Sequence, residues 1–287
     1  MRSCRSAILV LSGAVAIAGW ALSGSGQAPA PIPMGPVRDS GASVTGAYEG
    51  WYQNSDGTYS LLVGYFNRNQ KETLDIPAGP NNHIDPGAPD QGQPAHFLPR
   101  RHWGVFRIVV PKDFGKKRLT WTITANGQTT SIPMHLDPLW IVEPLKDAGV
   151  GNTPPVVRFE PGGPAYQGPP HGIATSFNTK SSDPLSLTLW ATDDAKQPPE
   201  ARPRQGAPAS IFWSKFRGPG AVTFENPRPA VDTNDGKAAT TAKFSMPGEY
   251  ILRAQANDAS GDGGGGFQCC WTNVHVKVTV TPGAGNQ

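Results

Sequence analysis

Long apolar runs, catalytic signatures, cysteine and an excess of either charge are all scarce in this chain. Its one sustained apolar stretch, Ala7 to Leu22, is 16 residues long, short of the roughly 20 that a membrane-crossing helix requires. No membrane span is therefore expected in the mature chain. HExxH, GxSxG and CxxC are absent, and GDGGGG (261–266) precedes a strand pattern rather than the helix that a phosphate-cradling loop needs. Enzymes built on those local motifs are excluded. A triad or carboxylate pair assembled from distant loops is not, and it remains the rival reading. Charged residues make up only 16% of the chain, and the 25 basic residues less Arg2 and Arg5 leave 23 against 22 acidic ones. Nucleic-acid or anionic-membrane partners, which call for clustered Lys and Arg, gain no support from this balance. The two basic clusters, PRRHWGVFR (99–107) and FGKKR (114–118), read as solvated strand ends.

The residues that are present first indicate a destination. Arg2 and Arg5, the apolar run and the small residues after it have the layout of a secretory signal peptide, 1–26, with cleavage before Gln27. A secreted or periplasmic location is expected, and Cys4 leaves with the signal. Gly 34 and Pro 30 are high for the length, which suits many short strands joined by turns. The remaining length fits about two domains of roughly 100–150 residues each.

Pattern along the chain divides it further. Residues 27–42 form a proline-rich linker, and 43–145 read as a small β-sandwich-like domain of about six strands. VTGAYEGWYQ, the turn NSDG and TYSLLVGYF make one hairpin. LTWTITA places Leu119, Trp121, Ile123 and Ala125 on one face, and NGQ turns it into a second hairpin. KDAGVGNTPP (146–155) is a linker, 156–282 a second sandwich, and 283–287 a flexible tail. In the second sandwich Leu185, Leu187, Leu189 and Ala191 alternate on one strand, Tyr250, Leu252, Ala254 and Ala256 on another, and Val274, Val276, Val278 and Val280 on the last. The fold expected is all-β, two immunoglobulin-like β-sandwich domains after a signal peptide.

TPPVV (153–157), LWATDDA (189–195), FWSKFRGPGAVTF (212–224), TAKFSMPGEYILRAQAND (241–258) and VHVKVTVTP (274–282) resemble, in that order, the immunoglobulin-like domains of the polycystic-kidney-disease type found in exported bacterial proteins. The resemblance implies a two-sheet sandwich with Trp213 and the strand from Tyr250 in its core, entered by the Pro247-Gly248 turn. It also implies a spacer, adhesion or binding role, which is a statement about fold more than function. The departure is ASGDGGGGFQCCW, longer and richer in glycine than that corner of the family. The first half is similar only to uncharacterised exported β proteins.

Candidate sites come from loops. The proline-rich segment 76–101, with little structure of its own, reads either as a surface loop stiffened by its prolines or as a binding loop carrying Asn81, Asn82, His83, Asp85, Asp90 and His96. His83, Asp85, His96 and His102 are types that suit zinc or copper but lack a tight motif. Asp258, Ser260 and Asp262 before Gly263 copy the first half of a calcium loop, but position twelve is Cys269 instead of Glu. Asp193 and Asp194 could add carboxylates. No cofactor is otherwise expected. Trp121 and Trp213 fall on inward faces, whereas Trp190 and Trp271 fall on outward ones, where a ring either covers a second sheet, a linker or the other domain or stacks on sugar or protein.

Cys269 and Cys270 have only each other or another molecule as partners after export. A trans peptide would hold their α-carbons about 3.8 Å apart, less than the usual disulfide span. The choices are a vicinal disulfide in a distorted loop, free thiols with one buried, an intermolecular bridge, or a metal. Taken together, the sequence reads as a non-catalytic exported protein that binds protein or polysaccharide of the cell envelope through 77–101 and 257–271. The alternatives are a metal-dependent or hydrolase-like enzyme with a site between the domains, and a pure spacer.

Overall fold

A computed structural model describes residues 38–147, 149–196, 206–207, 209–258 and 269–283. The signal-like residues 1–26, most of the proline-rich linker and residues 284–287 lie outside them. The first half runs β1 (Val44–Gln53), β2 (Tyr59–Asn67), β3 (Leu74–Asp75), β4 (Asn82–Asp85), β5 (His96–Phe97), β6 (Arg100–Val110), β7 (Leu119–Ala125) and β8 (Gln128–Met134), then a 3₁₀ turn, Pro138–Trp140. The second runs β9 (Val156–Arg158), β10 (Tyr166–Gln167), β11 (Ile173–Lys180), β12 (Leu185–Thr192), β13 (Ser210–Arg217), β14 (Val222–Phe224), β15 (Lys237–Phe244), β16 (Gly248–Asn257) and β17 (Trp271–Thr281). The protein is all-β, as the alternation predicts. Eight strands instead of about six precede residue 143, because the segment 76–101 itself supplies β4 and β5.

In the first half, the sheet β1-β2-β6 faces the sheet β4-β7-β8, with β3-β5 as a separate ribbon. Between them lie Leu61, Val63, Tyr65 and Phe106 from one layer and Ile84, Trp121, Ile123 and Met134 from the other. In the second half, β10-β9-β12-β15-β14 faces β11-β17-β16-β13, and every alternating residue named above for β12, β16 and β17 is buried between them. Both halves are immunoglobulin-like two-layer sandwiches. Among the strands named above pairing is antiparallel except between β11 and β17, isolated bridges at Arg38–Asn69 and Trp51–Ile141 are also parallel, and the described residues belong to one compact unit.

The two cores differ in ownership. The second is closed by its own strands, with Trp213 fully buried against Phe159 and Phe224. The first includes Phe216, a residue of β13 in the other half, and has Ile251 of β16 packed against it. Strand parity explains how: Ser214 pairs with Arg253 on the outer face of the sheet, and Phe216, two residues on, takes the same face. The bulge between Lys215 and Arg217 adds a residue, so that Arg217, not Lys215 or Phe216, takes the place opposite Ile251.

Candidate functional site

The segment 76–101 is held in place at many points. Asn82 is fully buried. Its amide donates to Ile76 O and Pro94 O, both at 2.8 Å, and its Oδ1 accepts from Trp121 Nε1 at 2.8 Å. Buried Gln93 donates to Asn82 O and Pro89 O. The chain is thereby folded over the Trp121 edge, and Asn82 faces the interior instead of a ligand. Asn81 is exposed, its carbonyl accepting from Thr124 N. The His83 ring bridges Pro80 O and the exposed Asp85 carboxylate, 3.2 Å away. His96 Nδ1 lies 2.8 Å from Asp75 Oδ1, which also pairs with Lys215 Nζ at 2.8 Å. Burial raises the Asp75 pKa, but hydrogen bonds from His96 and Lys215 outweigh it and hold the carboxyl at about 2. Asp90 grips Arg217 through both oxygens at 2.9 and 2.8 Å, and Ala95 N donates to Phe216 O. The segment expected to meet a ligand thus contacts β13.

A second set of contacts explains Trp271. Strand parity correctly turns it away from its own sandwich, but that outward face is covered by β6, and Trp271 is fully buried on Gly104. A β-carbon at Gly104, where φ is +50°, would stand 1.8 Å from the indole Cη2. Only glycine fits both the backbone and the ring. Residues 103–105 form a bulge opposite Gly64 in the β2–β6 pairing, so their carbonyls point out of the ladder. Asn273 Nδ2 donates to Gly104 O at 2.9 Å and Trp103 O at 3.3 Å, and His275 Nε2 to Val105 O at 3.1 Å. Glu49 accepts from Gly104 N and pairs with Arg101. His102 accepts from Arg253 at Nδ1, 3.1 Å away, and donates from Nε2 to Pro99 O. Burial, reinforced by Arg253, lowers both His102 and His275 to about 3. Both rings are neutral at physiological pH and serve as structural hydrogen-bonding groups. The buried polar residues on the odd positions of β16 and β17 carry no signal of burial in the sequence.

The cysteines form a vicinal disulfide across a cis peptide, with α-carbons 3.1 Å apart in place of the trans spacing expected. Both are buried, with their sulfurs against Asn152 O. The Asn152 amide in turn donates to the buried carboxylate of Asp258. Ser260 and Asp262 lie outside the described residues. Asp194 accepts from Thr153 Oγ1 and Lys196 N, and Asp193 from Ala195 N, the usual use of Asp in turns. Among the described residues no three His, Cys, Asp or Glu side chains lie together as metal ligands. Trp190 is half-buried under Lys237, so the proposed loop residues and the two outward tryptophans do not converge on one surface.

A groove of about 600 Å³ does bring functional types together at the end of the first sandwich where β1, β6 and β8 stop and β2 and β7 start. Trp51, Tyr59, His135, Leu136 and Asp137 line it on one side, and Lys112, Lys116, Lys117 and Arg118 on the other. Trp51 meets Tyr59 edge-on at 5.4 Å and donates from Nε1 to Asp137 O at 2.8 Å, which fixes the half-exposed ring. Asp137 caps the 3₁₀ turn by accepting from Leu139 N. Residues 140–142 then lie across Gly50, where φ is +126° and a β-carbon would meet Trp140 O at 2.5 Å. Val142 N donates to Trp51 O, tying this segment to β1. Beyond the groove mouth Leu139 is 91% exposed and Trp140 44%, its ring stacked on Tyr48. Sequence reading passed over this site because Trp51, FGKKR and His135-Leu136-Asp137 are far apart in the chain and each is unremarkable alone.

No protein-family model matches the chain, and no curated protein matches it significantly. Among solved structures it is similar to the D0–D1 segment of intimin (TM-score 0.24, 10% identity, covering 83% of this chain and 97% of that one). It is also similar to domains 4 and 5 of the S-layer protein SbsC (0.24, 10%, covering 56% and 65%). A third is invasin, a bacterial integrin-binding protein (0.22, 14%, covering 84% and 40%). No helix among the described residues is long and apolar enough to cross a membrane.

Proposed function

We propose that the protein is an exported, non-catalytic binding module of the cell envelope or extracellular space, sent out by residues 1–26. Its working parts are the sandwiches 43–145 and 156–282, the second of the polycystic-kidney-disease type, and its contact surface is the groove beside Trp51. One observation carries this reading: the groove is an open, loop-built surface of aromatic and cationic side chains, whereas the strongly shifted histidines sit in buried structural hydrogen bonds away from it. Catalysis favours convergent titratable groups in a cleft; recognition favours a fixed aromatic ring beside charges that are free to engage. The test is retention of the intact protein by cell-envelope and polysaccharide fractions, with and without calcium. Selective retention by one fraction is expected, independent of calcium. If no fraction holds the protein, it is a spacer and the binding reading fails.

A further inference from the structure

We infer that the groove is a site for an acidic saccharide, a sugar chain bearing carboxylate groups; this rests on the binding reading above. The two walls differ in chemistry. On one, Trp51 presents a half-exposed ring that its bond to Asp137 O and its contact with Tyr59 keep from rotating. Such a ring covers the C–H face of a pyranose at little entropic cost. The exposed Asp137 stands beside it, with a carboxylate able to accept from sugar hydroxyls.

On the other wall Lys116, Lys117 and Arg118 are consecutive and exposed, on a loop set by Phe114 N–Pro111 O and Lys117 N–Phe114 O bonds and anchored by buried Phe114. None of these three cations forms an ion pair among the described residues. Lys112 reaches over Gly57 toward Asp56 and is less free.

Each simpler ligand leaves one wall without a role. A neutral sugar would use the aromatic side and leave three cations unengaged. A small anion would use the cations and leave Trp51 and Tyr59 unused, in a groove whose volume falls in the range of about 300–1,000 Å³ typical of organic ligands. Nucleic acid offers both rings and phosphates, but it needs a cationic track beyond one short loop, and this chain's near balance of 25 basic and 22 acidic residues supplies none. A carboxylated sugar uses both walls, with Arg118 offering a fork that matches a carboxylate.

The experiment is titration of the intact protein with oligogalacturonate, with a neutral galactan, with inorganic polyphosphate and with single-stranded DNA. It is read by calorimetry and by tryptophan fluorescence. Oligogalacturonate is expected to bind and to weaken as salt rises, and the neutral galactan not to bind. Lys116→Gln, Lys117→Gln and Arg118→Gln together should weaken binding at least about tenfold, the effect of losing about 1.4 kcal/mol, and should leave the melting temperature unchanged because all three are exposed. Trp51→Phe keeps an aromatic ring but loses the bond to Asp137 O, and should weaken binding and reduce the ligand-induced fluorescence change. Tighter binding of polyphosphate or DNA overturns the saccharide assignment, as does oligogalacturonate binding that ignores both variants. Retention of the triple variant by the same envelope fraction as the wild type would overturn the groove as the site while the binding-module reading stands; failure of the wild type to be retained at all fails that reading itself.

Discussion

The second sandwich is finished by its own residues, whereas the first is finished by Phe216, lent by its neighbour. That difference follows from which face of β13 and β16 the first sandwich covers. β12, β16 and β17 alternate without interruption along their buried faces, so each core side chain is placed by parity alone. In the first half, β1, β2 and β6 carry register shifts at Tyr48/Gly50 and Val63/Tyr65. The lesson is that parity decides which face a side chain takes, and an outer face covered by a neighbour, as at Phe216 and Ile251, serves that neighbour's core.

Four measurements would break or sharpen this contrast. The largest effect is expected from Phe216→Ala, a truncation that costs about 3–5 kcal/mol when the residue is buried. Hydrogen exchange should then speed up in β2 and β6 while β12 and β15 keep their protection. Loss of protection confined to the second sandwich would show that the borrowing runs the other way. Gly104→Ala comes next, because overpacking costs about 1–3 kcal/mol and the positive φ adds to it. Combining it with Trp271→Leu should recover part of the loss, a non-additivity expected of residues in contact; strict additivity would remove the ring-on-glycine contact as the joint.

Acid should separate the two regions third. His102 and His275 have folded pKa values of about 3 against about 6.5 when unfolded. The unfolded chain therefore binds more protons between those values, and stability falls as pH drops from about 6.5 to about 3. Asp75, at about 2 when folded, continues the loss below its ordinary range near 3.9. His275→Gln keeps a donor toward Val105 O without a titrating ring, so its thermal midpoint should vary less with pH than that of the wild type. An equal slope would assign the acid sensitivity elsewhere. The smallest effect belongs to Cys269→Ser with Cys270→Ser. A link between neighbours closes almost no loop, so the change should fall well below the roughly 2–4 kcal/mol of an ordinary disulfide. Alkylation should label two thiols only after unfolding and reduction, because both sulfurs are buried. Labelling of the folded protein without reductant would contradict the bond.

Much of the fold was legible because alternation is a two-state signal. LTWTITA, PLSLTLWA, EYILRAQA and VHVKVTV each told which side chains face a core, and those side chains are buried. What alternation cannot tell is what covers the other face. Trp271, Asn273, His275, Arg253 and Gln255 lie on that second face of β16 and β17, and the first sandwich buries them. The same gap hid what holds the proline-rich segment. Its prolines and glycines signalled a loop, but the pinning comes from Asn82, Gln93 and Asp90, whose partners lie far along the chain. The groove was the least legible part, since it exists only where three connections meet.

The segment laid across Gly50 has a mechanical consequence. Trp51 is tied to Asp137 and Val142, and the chain continues directly from there to Asn152, which is anchored on Asp258 and packed against Cys269 and Cys270. Tension applied by a tethered ligand in the groove would enter at Trp51 and travel along the connector into the second sandwich. Because Trp51 also belongs to β1 and is paired with Leu61 of β2, the first sandwich would share that load, and the groove would pull on both bodies at once.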